Sequence, residues 1–301
     1  MELQQLRYLL AVAKTGNFSR AAESCHVAQP SLSQQIQKLE GELGARLVDR
    51  LKRRAVLTKA GEALASRAAR ILSEVDAARR DAEESDSMAR GQVTVGVLPT
   101  IAPYLLPPVL SAFGKAWPGM EVIVQENTTA LLLQMCEACE LDLAIVSEPA
   151  PPPKLAGEML FSEELLLALP RDHRLAKQAK IRLSDLDSER FILMKEGHCL
   201  GDQALKFCDR QDFHPQITFR SAQLETIHAL VMAGLGISLV PAMARTKGRD
   251  AKVVYRSLEK PRPTRSVMAL WRKEHHHHKA ADAFLKILRE VGREFEGSLG
   301  R

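Results

Sequence analysis

A chain of 301 residues, 46% hydrophobic and 26% charged, is long enough for two or three cores and too apolar to be disordered. No apolar run approaches the roughly 18 residues of a membrane span, and five cysteines are too few for a disulfide scaffold. The net charge of +5 is confined to one end: residues 1–60 hold ten basic side chains against five acidic ones, and the remaining residues hold 32 of each sign. Such asymmetry points to a polyanion partner for the N-terminal part alone. The first residues, Met1-Glu2-Leu3-Gln4-Gln5, place no basic stretch ahead of an apolar one, so a cytoplasmic location is expected.

Leu3, Leu6, Leu9, Leu10 and Ala13 recur at helical spacing and Gly16-Asn17 follows, which predicts a first helix to about Thr15. A second, short helix is expected from Ser19 as N-cap. Pro30 then stands in the first turn of a third helix through Leu43, with an apolar stripe at Leu32, Ile36, Leu39 and Leu43. This is the order of a helix-turn-helix. Gln29, Pro30, Ser31, Ser33 and Gln34 crowd the start of the third helix, where short polar side chains and backbone amides suit base edges and phosphates. Arg50-Leu51-Lys52-Arg53-Arg54 lies between short β-prone stretches, as a wing would. Cys25 reads as a small buried residue.

From Thr58 to about Met88 an Ala/Arg/Leu/Glu-rich stretch carries Ala60, Leu64, Ala68, Ile71, Leu72 and Val75 on one side. It predicts one helix of about 45 Å, with its stripe packed on a second chain or on its own domain. Beyond it, strands expected at residues 91–97, 121–125 and 141–146 alternate with helices near 104–116 and 129–138, the pattern of an α/β fold with a largely parallel sheet. Ligands in such sheets bind beyond the carboxyl ends of strands, and Thr100 and Thr129 stand there. Further strands near 165–169, 190–194, 217–220 and 236–240, with a return strand near 266–271, suggest two lobes joined by two crossovers.

Cys199 and Cys208 are nine residues apart in a stretch that favours a helix from Asp202 onward. If that helix reaches back to Cys199, the sulfurs lie on opposite faces with Cα atoms about 13 Å apart, whereas a disulfide needs about 7 Å or less. Such a pair closes only if the segment unwinds. Two structural cysteines, or a metal site with His198, are the other readings of this segment; Cys-x8-Cys is not a strong zinc spacing. Cys136-Glu137-Ala138-Cys139 is formally a Cys-x-x-Cys but falls near a helix end, which leaves a second redox or metal role open. His275 to His278 reads as a solvated helix start. No phosphate loop, Ser/His/Asp set or carboxylate pair points to an enzyme, and no cofactor or metal is expected.

Leu6-Arg7-Tyr8-Leu9-Leu10-Ala11-Val12-Ala13, Asn17-Phe18-Ser19-Arg20-Ala21-Ala22, Gln29-Pro30-Ser31-Leu32-Ser33-Gln34-Gln35-Ile36, Lys38-Leu39-Glu40 and Thr58-Lys59-Ala60-Gly61 resemble the N-terminal domain of LysR-type transcriptional regulators. The resemblance implies a winged helix-turn-helix over 1–58, a linker and dimerisation helix over 59–89, and a two-lobed, periplasmic-binding-protein-like α/β regulatory domain over 90–301. Lobe I would take about 90–162 and 267–301, and lobe II about 163–266. It implies that Gln29, Pro30, Ser31, Ser33, Gln34, Arg50, Arg53 and Arg54 meet double-stranded promoter DNA. Leu98-Pro99-Thr100-Ile101-Ala102-Pro103 and Gly197-His198-Cys199-Leu200 with Asp202-Gln203-Ala204 and Phe207-Cys208 are similar to the family's peroxide-responsive members. That implies hydrogen peroxide as signal, Cys199 as the reactive thiol, Cys208 as its resolving partner, and Thr100, Thr129, His198 and Arg265 around the peroxide. It also implies a homotetramer, built as a dimer of dimers, that engages RNA polymerase. A regulator sensing a small organic effector between the lobes is the alternative.

Overall fold

The computed structural model describes residues 1–51, 54–84, 91–147, 150–178, 180–195, 199–245, 252–273 and 278–299. The chain divides into two compact units, residues 1–88 with 138–140 and the remainder.

In the first unit, α1 (Leu3–Thr15) ends at Gly16, whose φ of 60° is the left-handed cap that glycine favours. Asn17, and not Ser19, caps α2 (Phe18–Ser24): its side-chain oxygen accepts from the amides of Ser19 and Arg20 at 2.8 and 3.1 Å. An amide side chain one residue ahead of the helix satisfies two orphan donors at once, which Ser19 inside the first turn cannot do. α3 (Gln29–Leu43) carries Pro30 in its first turn and ends at Gly44. β1 (Val48–Leu51) and β2 (Arg54–Leu57) pair antiparallel as the wing.

The core of this unit gathers Tyr8, Leu9, Val12, Ala21, Ala22, Leu32, Ile36 and Leu39. The apolar stripes are narrower than the sequence suggests. Leu3, Ala13 and Leu43 are exposed, while Gln5 and Tyr8 are buried, because the buried side of α1 is set by where α2 and α3 cross it. α4 (Lys59–Glu84) starts at Thr58, whose hydroxyl accepts from the Gly61 amide. A Cβ on Gly61 would lie 2.0 Å from the Leu47 carbonyl oxygen, so the helix can approach the wing only with glycine there. Leu6, Ala68 and Leu72 form a small cluster joined by Leu10 and Leu64, so this part of the stripe packs on α1 of its own unit. Ala60 and Ile71, placed on the stripe from the sequence, are exposed, and Ala65 is buried instead.

The second unit contains β3 (Gly91–Val97), α5 (Ala102–Ala116), β4 (Met120–Glu126), α6 (Thr129–Glu137), β5 (Leu143–Val146), β6 (Leu155–Pro170), β7 (Arg190–Met194), α7 (Cys199–Arg210), β8 (Gln216–Ser221), α8 (Leu224–Met232), β9 (Ser238–Pro241), β10 (Val253–Arg256), β11 (Thr264–Arg272) and α9 (Lys279–Leu299). A seven-stranded sheet runs β10-β6-β11-β5-β3-β4, with β9 also on β6. It is mixed and not largely parallel: β3 pairs parallel with β4 and β5, whereas β11 and β6 run antiparallel to their neighbours. The two crossovers cause this, since one chain must leave the first lobe and return along the same seam.

Two cores follow. Val93, Val95, Ile101, Leu132, Ile145 and Phe161 belong to the first, and Leu165, Leu167, Phe191, Ile192, Leu200 and Cys208 to the second. The 16 residues of β6 pass from one core to the other between Phe161 and Leu165, and β11 lies opposite with Arg265 facing Glu163 in register.

Candidate redox site and nucleic-acid surface

The helix expected from Asp202 reaches back to Cys199 without a break. Leu200, Gly201, Ala204 and Cys208 are its buried face, and a Cβ on Gly201 would stand 2.7 Å from the Met194 carbonyl oxygen. α7 is thus seated tightly on the end of β7. Cys208 is 1% exposed inside the second lobe's core, where burial first and the Asp209 charge second push its thiol up to about 11. Cys199 is half-buried and packs against the first lobe's core. With nine helical steps between them, about 13 Å, Cys208 inside the second core and Cys199 against the first cannot bond while α7 is intact.

A cavity of about 350 Å³ opens beside α7, with Cys199, Gln203 and Lys206 on one wall and Arg262, Thr264, Arg265 and Ser266 on the other. Gln203 holds the start of α7 to the first lobe: its amide donates to the Ser147 carbonyl at 2.9 Å, and the Ser147 hydroxyl donates to the Ser266 carbonyl at 2.9 Å. The Arg265 side chain is wholly buried. Its Nε donates to Glu163 Oε1 at 2.8 Å, one terminal nitrogen to the Thr100 hydroxyl at 3.0 Å, and the other to the Thr100 carbonyl at 3.1 Å. Glu163 Oε2 accepts from the Met243 amide at 2.8 Å. Taking two such charges out of water costs several kcal/mol each, and hydrogen bonds on both partners offset it.

Of the expected peroxide residues, Thr100 and Arg265 are bonded to each other, and Arg265 shares the cavity with Cys199. Thr129 opens α6, and its buried hydroxyl has no hydrogen-bond partner among the described residues. His198 lies outside the described residues. The sequence did not single out Glu163, Gln203 or Ser147. Gln203 stands in the conspicuous Asp202-Gln203-Ala204 run, but Glu163 has no local signal, since its partner is 102 residues away.

On the first unit, Gln29, Pro30, Ser31 and Gln34 are exposed along the start of α3, with Ser33 half-buried. Arg50 joins the wing to this surface. It donates to the Ser33 hydroxyl at 3.0 Å and its guanidinium lies 4.8 Å from the Phe18 ring centroid. Arg54 is exposed, and Arg53 lies outside the described residues.

Cys25 is half-buried and touches the edge of its core. Cys136 is buried with its thiol 3.8 Å from the Leu270 carbonyl, and Cys139 lies past the end of α6 at φ 58°. His278 corrects one expectation: it is 6% exposed, its Nε2 lies 3.1 Å from Asp142, and its Nδ1 accepts from the Ala281 amide, so it is a packed helix-start residue and not a solvated one. His275, His276 and His277 lie outside the described residues. Among the described residues no group of three or more His, Cys, Asp or Glu is placed to hold a metal ion.

Residues 3–62 match the bacterial regulatory helix-turn-helix model of the LysR family, and residues 86–293 match the LysR substrate-binding domain. The chain belongs to the LysR family of transcriptional regulators. Among LysR-family relatives, a hydrogen peroxide-inducible genes activator of Pectobacterium carotovorum subsp. carotovorum is 37% identical over 274 residues, 90% of each chain. The DNA-binding transcriptional dual regulator OxyR of Escherichia coli K12 is 37% identical over the same share of both. Among solved structures, a full-length cysteine-to-aspartate OxyR of Pseudomonas aeruginosa matches with a TM-score of 0.76 and 31% identity, over 97% of this chain and 95% of that one. A hydrogen-peroxide-bound cysteine mutant of Corynebacterium glutamicum OxyR matches at 0.63 and 28%, over 99% and 94%.

Proposed function

We propose that this LysR-family chain is a redox-sensing activator that hydrogen peroxide switches on through a reversible Cys199–Cys208 disulfide, controlling oxidative-stress genes. The observation that carries this is a single helix, α7, that begins at one cysteine, buries the other in a different core and faces a cavity containing Arg265. The Cys199 thiolate attacks one peroxide oxygen and the O–O bond breaks. Sulfur is oxidised to a sulfenic acid, and the departing hydroxide takes a proton to leave as water. Thr100, Thr129, His198 and Arg265 are the groups assigned to bind the peroxide, Arg265 and the Thr129 hydroxyl, which has no partner among the described residues, being donors. Cys208 then attacks the sulfenic sulfur and releases a second water, which requires α7 to open. A bond that forms only by unwinding a helix stores strain and stays reducible by cytosolic thiols.

In this reading residues 1–58 bind promoter DNA, 59–89 link and dimerise, and 90–301 sense, in lobes of about 90–162 with 267–301 and about 163–266. Gln29, Pro30, Ser31, Ser33, Gln34, Arg50, Arg53 and Arg54 meet the DNA. The protein acts in the cytoplasm as a homotetramer, a dimer of dimers, whose remodelling shifts the DNA-binding heads so that RNA polymerase is engaged. No described helix is long and apolar enough to cross a membrane. Stoichiometric peroxide followed by disulfide mapping and promoter footprinting on one sample tests this: a changed footprint with Cys199 still a thiol overturns it. The 350 Å³ cavity, far larger than peroxide, supports a second reading as a sensor of a small organic effector, which would still respond in Cys199→Ser.

A further inference from the structure

We infer that Glu163 is a positioning residue of the peroxide site, aiming the Arg265 guanidinium and compensating its charge so that Arg265 serves Cys199 as a directed donor. The inference rests on the peroxide reading above and adds a residue to it.

Glu163 and Arg265 are opposed in register on β6 and β11, the two strands that cross between the lobes. Sheet pairing therefore fixes their encounter, and a slip of either strand by one residue would turn its side chain to the other face. Neither side chain has any solvent exposure. Glu163 takes the Arg265 Nε with one oxygen and the Met243 amide with the other. With Nε so engaged, the planar guanidinium can only present its terminal nitrogens away from Glu163, towards Thr100 and the Met243 sulfur.

The chemistry explains why orientation is needed. When the Cys199 thiolate forms its S–O bond, negative charge grows on the departing oxygen, and a fixed donor there lowers the barrier without rearranging. Glu163 transfers no proton and touches no reacting atom; it acts through Arg265. An uncompensated Arg265 would instead be a net cation beside the thiol, favouring the thiolate while being free to turn away from the leaving oxygen. The other charged side chains on the cavity wall with Cys199 are Asp202, Lys206, Arg210 and Arg262, and they are unaltered by a change at Glu163.

The test is the pH profile of Cys199 oxidation by hydrogen peroxide in the full chain, comparing wild type, Glu163→Gln and Glu163→Asp. Glu163→Gln is expected to lower the apparent thiol pKa by about one unit and to slow the limiting thiolate rate by up to about a hundredfold. Glu163→Asp keeps the charge and is expected to restore the pKa and part of the rate. A residue that only supports the fold would move neither in the folded fraction. Should Glu163→Gln fail to fold, Arg265→Met and Arg265→Met/Glu163→Leu replace it: the two are expected to share one limiting rate, because Glu163 has nothing left to aim. A tenfold difference between them, or an unchanged pH profile in Glu163→Gln, overturns the inference and leaves the peroxide reading standing. Wild-type Cys199 that does not react with peroxide overturns both.

Discussion

Cys208 is a residue whose chemistry its surroundings alter strongly. Burial in the second lobe's core raises its thiol from an ordinary 9.0 to about 11, so near neutral pH it is an inert thiol until α7 opens. The folded chain holds this proton more tightly than the unfolded chain does. The associated stability is therefore complete below about pH 9 and is lost as pH rises towards about 11, by up to about 2 kcal/mol. Urea unfolding of the reduced protein between about pH 8 and about pH 11 is expected to show that decline in wild type and to show less of it in Cys208→Ala. Equal slopes would place the titration elsewhere.

Arg265 shows how far a residue's role is readable without a structure. Its expected place at the peroxide comes from family likeness, and the structure bonds it to Thr100, but nothing near it in sequence announces Glu163. A buried ion pair is made by strand register between positions 102 residues apart, and composition carries no trace of it. The Thr129 hydroxyl, left without a described partner at a helix start, is similar: the sequence gives its element and only packing gives its burial.

Among the elements, those with local signals were legible. Gly16 and Gly44 end α1 and α3, Pro30 opens α3, and the alternation of β3 marks a strand. β6 was read only over its second half, because Glu163 and Glu164 interrupt its apolar pattern and Met159 is exposed. β10 escaped because it is short and mostly half-buried. That Cys199 and Cys208 share one helix was conditional in the sequence, and α7 meets the condition.

α7 must detach from β7 for the cysteines to meet, and Gly201 packs against the Met194 carbonyl at the end of β7. In Gly201→Ala the new methyl meets the Met194 carbonyl, which weakens the docking of the helix on β7. Overpacking of this kind costs about 1–3 kcal/mol. Where opening limits closure, a weakening near the lower end of that range speeds conversion of sulfenic acid to disulfide about tenfold. Stopped-flow mixing with peroxide, trapping sulfenic acid and disulfide over time, reads this directly. A slower closure would mean that α7 does not have to leave β7.

At the scale of the whole molecule, the basic excess of residues 1–60 and the exposed start of α3 belong to one compact unit, and Cys199 and Cys208 to another. In the proposed reading a chemical event at Cys199 therefore reaches DNA only through a change of structure, and α7 is the element that changes. Both cores contribute: Cys199 is held by one and Cys208 by the other, so oxidation necessarily alters how the lobes share the helix.

Hydrogen exchange across residues 199–210, measured on the full chain before and after one equivalent of peroxide with disulfide mapping of the same sample, tests this most directly. Disulfide formation together with loss of amide protection throughout α7, reversed by a thiol reductant, is the expected result. A Cys199–Cys208 bond formed with α7 still protected would contradict it.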